Sequence, residues 1–320
     1  MRDQFGRTID YLRVSLTDRC NLKCIYCMPE EGIPLLPHEE ILRIEEILEI
    51  LREMARLGLK RVRLTGGEPL VRRGLIDLIR EAKHIQGLEE ISLTTNGTFL
   101  KGFAGVLKRE GVKRVNIGLP SLDPEKYRKI TRLGDLKTAL DGLNSAIEEG
   151  FNPLKINTVL LKGLNDDPVP FFELISKLEV EVRFIELMPV GRINLDHLFI
   201  SQEEFLKKIP KGIELRERES LEGNGPARKS FFFPGSKGSI SFIPALTGHF
   251  CRECNRLRLT ADGHLKPCLF SNIEIDLKPA LRPAFDSENL RGKFNEALFK
   301  KPKEKDLFNV SKRFMTQIGG

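Results

Sequence analysis

A chain of 320 residues with 40% hydrophobic and 30% charged side chains can bury a large core with an extension, or two domains, and its mixture excludes general disorder. No run approaches the roughly 20 apolar residues of a bilayer span, and residues 1–10 lack the apolar stretch of a secretory signal, so a cytoplasmic protein with no membrane partner is expected. The net charge of +7 suits anionic partners without choosing among them, and zero tryptophan with three tyrosines argues against a stacking platform for single-stranded nucleic acid, so no nucleic-acid partner is expected.

Short β-like runs at 12–17, 61–65, 90–95, 114–119, 154–161 and 182–188 alternate with amphipathic stretches. That alternation predicts a parallel sheet with crossover helices. Ile41, Ile44, Ile47, Leu48, Leu51, Met54 and Ala55 mark one helix, with Gly58 as its cap; Leu136, Ala139, Leu140, Leu143, Ala146 and Ile147 mark another, closed by Gly150. Six βα units are too few for a closed eight-stranded barrel. The expectation is an α/β fold, an open partial (β/α)6 barrel over residues 1–190 with its site at the C-terminal strand edges, where Cys20, Gly66, Asn96, Pro120 and Pro189 all fall.

Residues 191–320 form the expected α+β extension. A helix-like segment at 202–208 precedes a Gly/Lys-rich stretch at 223–238, and β-like sequence resumes at 239–244 and 256–267. Asp262-Gly263 is a plausible hairpin turn that would fold Cys268 back toward Cys251 and Cys254. By composition alone, the tail ending in Gly319-Gly320 is a frayed terminus.

The six cysteines fall into two groups of three, Cys20, Cys24 and Cys27 near one end and Cys251, Cys254 and Cys268 near the other. The first reads CxxxCxxC, which packs three thiols into one short loop. Three ligands leave a structural zinc one short, whereas a four-iron cubane held by three thiolates keeps one iron open. Alone, the second group could be a zinc ribbon with His249 or His264 as the fourth ligand. Arg61 and Arg63 alternate with Val62 and Leu64, and Arg256 and Arg258 with Leu257 and Leu259, so each pair projects from one strand face. In a barrel interior such charge is costly without an anion; on an exposed edge it would only discourage aggregation.

The first cysteine group, with Tyr26 before its third cysteine and Gly66-Gly67-Glu68-Pro69 after the second strand, resembles the radical S-adenosylmethionine superfamily. A closer resemblance, over nearly the whole chain, is to the MoaA family of GTP 3',8-cyclases, lyases of molybdenum cofactor biosynthesis. Its carriers are Ser15-Leu16-Thr17-Asp18-Arg19-Cys20, Arg63-Leu64-Thr65 before the glycine pair, Phe184-Ile185-Glu186-Leu187-Met188-Pro189, the run from Cys254 to Gly263, and Gly319-Gly320. The resemblance implies two [4Fe-4S] clusters, a catalytic one on Cys20, Cys24 and Cys27 that generates a radical, and a second on Cys251, Cys254 and Cys268 whose open iron meets guanine. It assigns Tyr26, Gly67 and Met188 to S-adenosylmethionine, and Arg13, Arg61, Arg63, Thr94, Lys155, Arg183, Arg256, Arg258, Gly319 and Gly320 to GTP.

The implied reaction removes hydrogen from C3' of the GTP ribose and joins C3' to C8, giving (8S)-3',8-cyclo-7,8-dihydroguanosine 5'-triphosphate. The implied partners are an external electron donor and a downstream cyclic pyranopterin monophosphate synthase, with a homodimer left open. Two positions depart from the family pattern: Gly118 stands where a serine hydroxyl is expected to meet S-adenosylmethionine, and Arg61 where lysine is frequent. The alternatives are another radical S-adenosylmethionine enzyme with an auxiliary cluster, acting on a peptide or nucleotide, a zinc-bearing nucleic-acid binder, and an iron-sulfur sensor without turnover.

Overall fold

The computed structural model describes residues 1–191, 193–219, 229–248, 250–307 and 311–319, so His249, Gly320 and the first part of the Gly/Lys-rich stretch lie outside the described residues. The six expected βα units are present. Their strands are β1 (Tyr11–Ser15), β2 (Arg61–Thr65), β3 (Glu90–Thr95), β4 (Arg114–Gly118), β5 (Leu154–Val159) and β6 (Glu181–Ile185), joined in parallel in that order. Between and after them run α1 (Ile44–Arg56), α2 (Leu75–Ala82), α3 (Leu100–Arg109), α4 (Pro124–Thr131), α5 (Leu136–Glu148), α6 (Val169–Lys177) and α7 (Gln202–Leu206).

Residues beyond 190 add to both edges of this sheet. Past β6 come β7 (Arg216–Glu219), β8 (Lys229–Phe232) and β9 (Ser239–Ile243), with β9 parallel to β6. Beside β1 lie β10 (Arg256–Leu259), β11 (His264–Lys266) and β12 (Ile275–Asp276), with β10 parallel to β1. The result is one open sheet in the order β12-β11-β10-β1-β2-β3-β4-β5-β6-β9-β8-β7. Strands from both sides of residue 190 therefore share one hydrogen-bonded layer. Two later helices, α8 (Ser287–Phe299) and α9 (Met315–Ile318), complete the chain.

Strand periodicity gives this sheet two chemically different faces. Leu12, Val14, Val62, Leu64, Leu93, Val115, Ile117, Ile156, Val182, Ile240 and Leu257 belong to one continuous apolar core with the helices. Each such side chain contributes about 1.5–3 kcal/mol on full burial. The intervening residues, Arg63, Ser92, Asn116, Lys155, Arg183, Ser241 and Arg258, are buried and polar. Water is largely excluded from a surface that by composition should be wet.

Helix α1 begins three residues later than the periodicity alone suggests, because the Arg43 N–H is taken by Glu46 (2.7 Å) and Leu42 N–H donates to Ala261 O (2.8 Å). Ile41 and Leu42 are still buried, which is why they matched the pattern. Gly58 (φ +100°) and Gly150 (φ +69°) adopt the left-handed conformation expected of caps. Helix α8 carried little periodic signal; Asp286 caps it through Asn289 N–H (2.9 Å), and Arg291 meets the buried Glu53 of α1 (2.8 Å).

Candidate active site

The first cysteine loop leaves β1 and is held on both sides by backbone contacts. Gly67 N–H donates to Thr17 O (2.7 Å) and Glu68 N–H to Arg19 O (2.8 Å). The approach is so close that a Cβ on Gly67 would sit 2.2 Å from Arg19 O, and one on Gly66 (φ +141°) 2.6 Å from Thr17 O. Only glycine fits this junction. Glu68 is buried and accepts from Thr95 Oγ1 (2.7 Å), Asn96 N–H (2.7 Å) and Leu70 N–H (3.1 Å), while burial pushes its carboxyl up to about 7. The Asn96 side chain continues to Asn21 (2.8 Å) and lies 3.8 Å from Cys20 Sγ. The far side of the loop is clasped by Arg132, which adopts φ +63° and donates to Lys23 O and Met28 O (both 3.0 Å).

Cys20, Cys24 and Cys27 are half-buried free thiols. Burial pushes Cys20 up to about 12, whereas Cys24 is lowered, first by its hydrogen bond with Cys27, whose own thiol rises in return. Tyr26 packs with Ile25 against the small cluster of Ile130, Leu161 and Leu187, next to the segment that carries half-buried Met188 at the end of β6.

The polar face gathers most of the predicted GTP residues. Arg258, Arg13 and Arg63 occupy one register across β10, β1 and β2, and Ser92 follows on β3. Arg63 Nε donates to Ser92 Oγ (3.2 Å). Thr94, Asn116 and Lys155 form a neighbouring row across β3, β4 and β5. Lys155 lies 3.4 Å from Glu181, which also receives Arg183 Nε (2.9 Å). Desolvation and then Arg258 hold Arg13 well below the ordinary guanidinium range; burial and then Arg256 bring Arg258 to about 10; burial and then Arg183 bring Lys155 to about 7. Like charges packed this closely disfavour their own ionisation, and an anion among them would relieve it. Thr94 Oγ1, Asn116 Oδ1 and Asn157 Oδ1 are buried on this face without a hydrogen-bond partner among the described residues.

Arg61 and Arg256 stand apart from that row. They share the rung of Tyr11. Arg61 pairs with Asp10 (2.7 Å), and Arg256 lies 5.8 Å from the Phe250 ring.

Residues 311–319 of the tail are packed against the rest of the protein and are not frayed. Helix α9 packs beside β1, Ile318 is buried, and Arg258 Nη1 donates to Gly319 O. Gly319 (φ +74°) approaches so closely that a Cβ would meet Thr65 Oγ1 at 2.1 Å. Upstream, Arg313 is held by Glu274 (2.6 Å) and Asp262 (2.9 Å). Composition could not foresee these anchors, because both acids come from elsewhere in the chain.

The second cysteine group straddles the β10–β11 hairpin as expected. Burial raises Cys251; burial would also raise Cys254, but Lys301 and Arg256 overcome it and bring that thiol down to about 7. His264, the conceivable zinc ligand, lies 3.3 Å from Asp262 at the hairpin turn. Cavities of about 340 and 580 Å³ open beside Cys268 and Cys251 respectively.

The model of the radical SAM superfamily matches residues 14–175, and that of the molybdenum cofactor synthesis C-terminal domain matches 180–307. A GTP 3',8-cyclase of Petrotoga mobilis is 46% identical over 326 aligned residues, and one of Thermodesulfovibrio yellowstonii is 46% identical over 323, each alignment covering 100% of both chains. The chain belongs to the GTP 3',8-cyclase family. Its fold also resembles Streptococcus suis SuiB bound to S-adenosylmethionine (TM-score 0.57, 13% identity, 82% of this chain and 60% of that one). The complex of SuiB with precursor peptide SuiA is similar (TM-score 0.56, 14% identity, 93% and 66%).

Membership in the cyclase family brings a [4Fe-4S] cluster and S-adenosylmethionine and is consistent with a second cluster, and both thiol groups fit such clusters in chemistry. Each group offers three thiols. Among the described residues the thiols are not closed into a formed metal cage. Several residues of this cyclase-family site escaped sequence reasoning. Arg132, Arg313 and Lys301 looked like ordinary surface charge, and Asn116 and Asn157 like ordinary strand residues. Their periodic position on the polar face was a usable signal for the asparagines; for the three cations there was none. No helix among the described residues is long and apolar enough to cross a membrane.

Proposed function

We propose that this chain is a radical S-adenosylmethionine lyase that converts GTP into (8S)-3',8-cyclo-7,8-dihydroguanosine 5'-triphosphate at the start of molybdenum cofactor biosynthesis. The observation that carries the proposal is the row of buried Arg258, half-buried Arg13 and buried Arg63, with the Gly319 carbonyl seated on Arg258. Three guanidinium groups in one row suit a triphosphate, to which each charged hydrogen bond contributes about 1.5–3 kcal/mol. Lys155 and Arg183 extend the same surface, Thr94 offers a hydroxyl to ribose or base, and Arg256 and Arg61 lie one rung away, where they would steer the anion.

When bound, the first cluster and S-adenosylmethionine supply one-electron chemistry that produces a carbon radical. Cys20, Cys24 and Cys27 would hold that cluster, with Tyr26, Gly67 and Met188 around the sulfonium ligand; Cys251, Cys254 and Cys268 would hold the second. Gly118 supplies no hydroxyl, and a Cβ there would meet nothing closer than Thr95 O at 3.7 Å, so a backbone contact is assigned to this position. Gly319 and Gly320 would bring backbone groups against substrate where side chains could not pass. The chain's part is to align C3' with the radical source and exclude water.

In this arrangement residues 1–190 hold the first cluster and much of the triphosphate row, and 191–320 add Arg256, Arg258, the second cluster and the Gly-Gly tail. The protein would work in the cytoplasm with an external electron donor, pass its product to a cyclic pyranopterin monophosphate synthase, and could act as a homodimer. The test is an anaerobic assay of reconstituted protein with S-adenosylmethionine, dithionite and GTP. Formation of 5'-deoxyadenosine should rise with GTP over ATP, CTP or UTP; equal rates with all four would sink the substrate assignment.

A further inference from the structure

The segment that follows α8 wraps the second cysteine group and places a buried ammonium beside it. Lys301 is 1% exposed. Its Nζ donates to Arg256 O (2.7 Å) and Pro267 O (2.7 Å) and lies 3.5 Å from Cys254 Sγ. Three donors thus find three acceptors, one from each arm of the hairpin and one on the cysteine itself. The segment is fixed from the other side by Arg7, whose guanidinium donates to Cys251 O (2.8 Å), Pro302 O (2.7 Å) and Lys303 O (3.1 Å).

What Lys301 lacks is a carboxylate. Its printed partners are two neutral carbonyls and a sulfur, and among the described residues it makes no salt bridge with Asp or Glu. A buried, uncompensated ammonium costs several kcal/mol, so a counter-charge is expected within reach. Three thiolates bound to an iron-sulfur cubane provide one: they leave the assembly anionic, and one-electron reduction adds a further negative charge. A fixed positive charge at that distance stabilises the reduced, more anionic level more than the oxidised one.

We infer that Lys301 is a positioning residue for the second cluster, stapling the Arg256 and Pro267 arms and setting the cluster's reduction potential through its buried charge. This rests on the proposal that Cys251, Cys254 and Cys268 hold a cluster. Lys305 provides an internal comparison. Its ammonium donates to Ala245 O (2.7 Å), Leu246 O (2.7 Å) and Gly248 O (2.9 Å), all on the loop before Cys251, and none of these acceptors is a sulfur.

The experiment uses full-length protein carrying Cys24→Ala, so that only the second cluster contributes, and follows its reduction by electron paramagnetic resonance at controlled potentials. Lys301→Met, Lys301→Gln and Lys305→Met are compared with the Cys24→Ala parent, with iron and sulfide counted in each. The expected result is a retained cluster in Lys301→Gln or Lys301→Met whose reduced-to-oxidised ratio at fixed potential falls about tenfold, equivalent to ~59 mV for a one-electron couple. Lys305→Met should shift it less. An unchanged potential in the Lys301 variants, an equal or larger shift in Lys305→Met, or loss of the cluster from both Lys301 variants would overturn the electrostatic role. If the Cys24→Ala parent itself holds no iron, the cluster assignment fails and the role of the lysine falls with it, an outcome distinct from a retained cluster whose potential does not move.

Discussion

The two cysteine groups have equal ligand counts and opposite surroundings. The first sits in a loop held by backbone contacts, with Gly66 and Gly67 against Thr17 and Arg19 on one side and the Arg132 clasp on the other. Its Cys20 thiol is pushed up first by burial, with Glu68 adding to the same shift. The second lies among cations, with Lys301 against Cys254 and Arg256 two residues on. A tightly cut loop held by backbone contacts would suit a cluster that shares its open iron with a zwitterionic ligand. A positive surround would suit a cluster beside a polyanionic ligand, as proposed for the second group. Equal donor sets can therefore be given different work by what packs around them.

The largest effect should come from separating the groups. Cys24→Ala is expected to abolish cleavage of S-adenosylmethionine while iron remains in the second group. Cys254→Ala should spare some uncoupled cleavage and lose GTP turnover. Iron analysis beside a 5'-deoxyadenosine assay checks both, and a single change that empties the protein of iron would mean that the two groups form one centre.

A smaller effect is expected from the tail. Removing Gly319 and Gly320 deletes the carbonyl seated on Arg258 but leaves the Arg313 anchor in place. Both clusters and S-adenosylmethionine binding should survive, while cyclised product falls roughly a hundredfold, the scale of a lost alignment. Full product formation by the truncated chain would return the tail to the frayed end that its composition suggests.

The smallest effect sharpens the contrast in charge. Lys155 is lowered from 10.5 to about 7, first by burial and then by Arg183, with Glu181 opposing. Below about pH 7 it is charged in both folded and unfolded protein, and its burial carries the full cost. As pH rises toward the unfolded value, the unfolded chain holds the proton longer, so this lysine's contribution to stability becomes more favourable. A bound triphosphate would restore the proton. GTP binding between about pH 7 and 9 should therefore take up a fraction of a proton and weaken as pH rises, a signature absent from Lys155→Met. Calorimetry in buffers of different ionisation heat measures it, and equal uptake in the variant would assign the proton elsewhere.

How far the sequence reached depended on whether a feature was periodic or assembled. Alternation of apolar and polar residues specifies a strand's two faces locally, because side chains alternate whatever the strand packs against. The six βα units, the caps at Gly58 and Gly150, and the pairing of Arg63 with Val62 and Leu64 on opposite faces were legible for that reason. The cysteine spacing was legible too, since three thiols in one loop are neighbours before any folding occurs.

Other features required the chain to be closed on itself. Which strands border β1 decided that Arg258, Arg13 and Arg63 form one row while Arg61 is diverted to Asp10. The need for glycine at Gly67 comes from Arg19, and the ease with which Gly118 could carry a side chain comes from a nearest neighbour at ordinary van der Waals distance; neither is a property of the glycine itself. Lys301 reads as one more charge in a lysine-rich tail, and only the fold buries its ammonium against Cys254. Contacts between distant segments are set by packing and desolvation, which local sequence does not encode, whereas strand faces and loop spacing are set by covalent geometry, which it does.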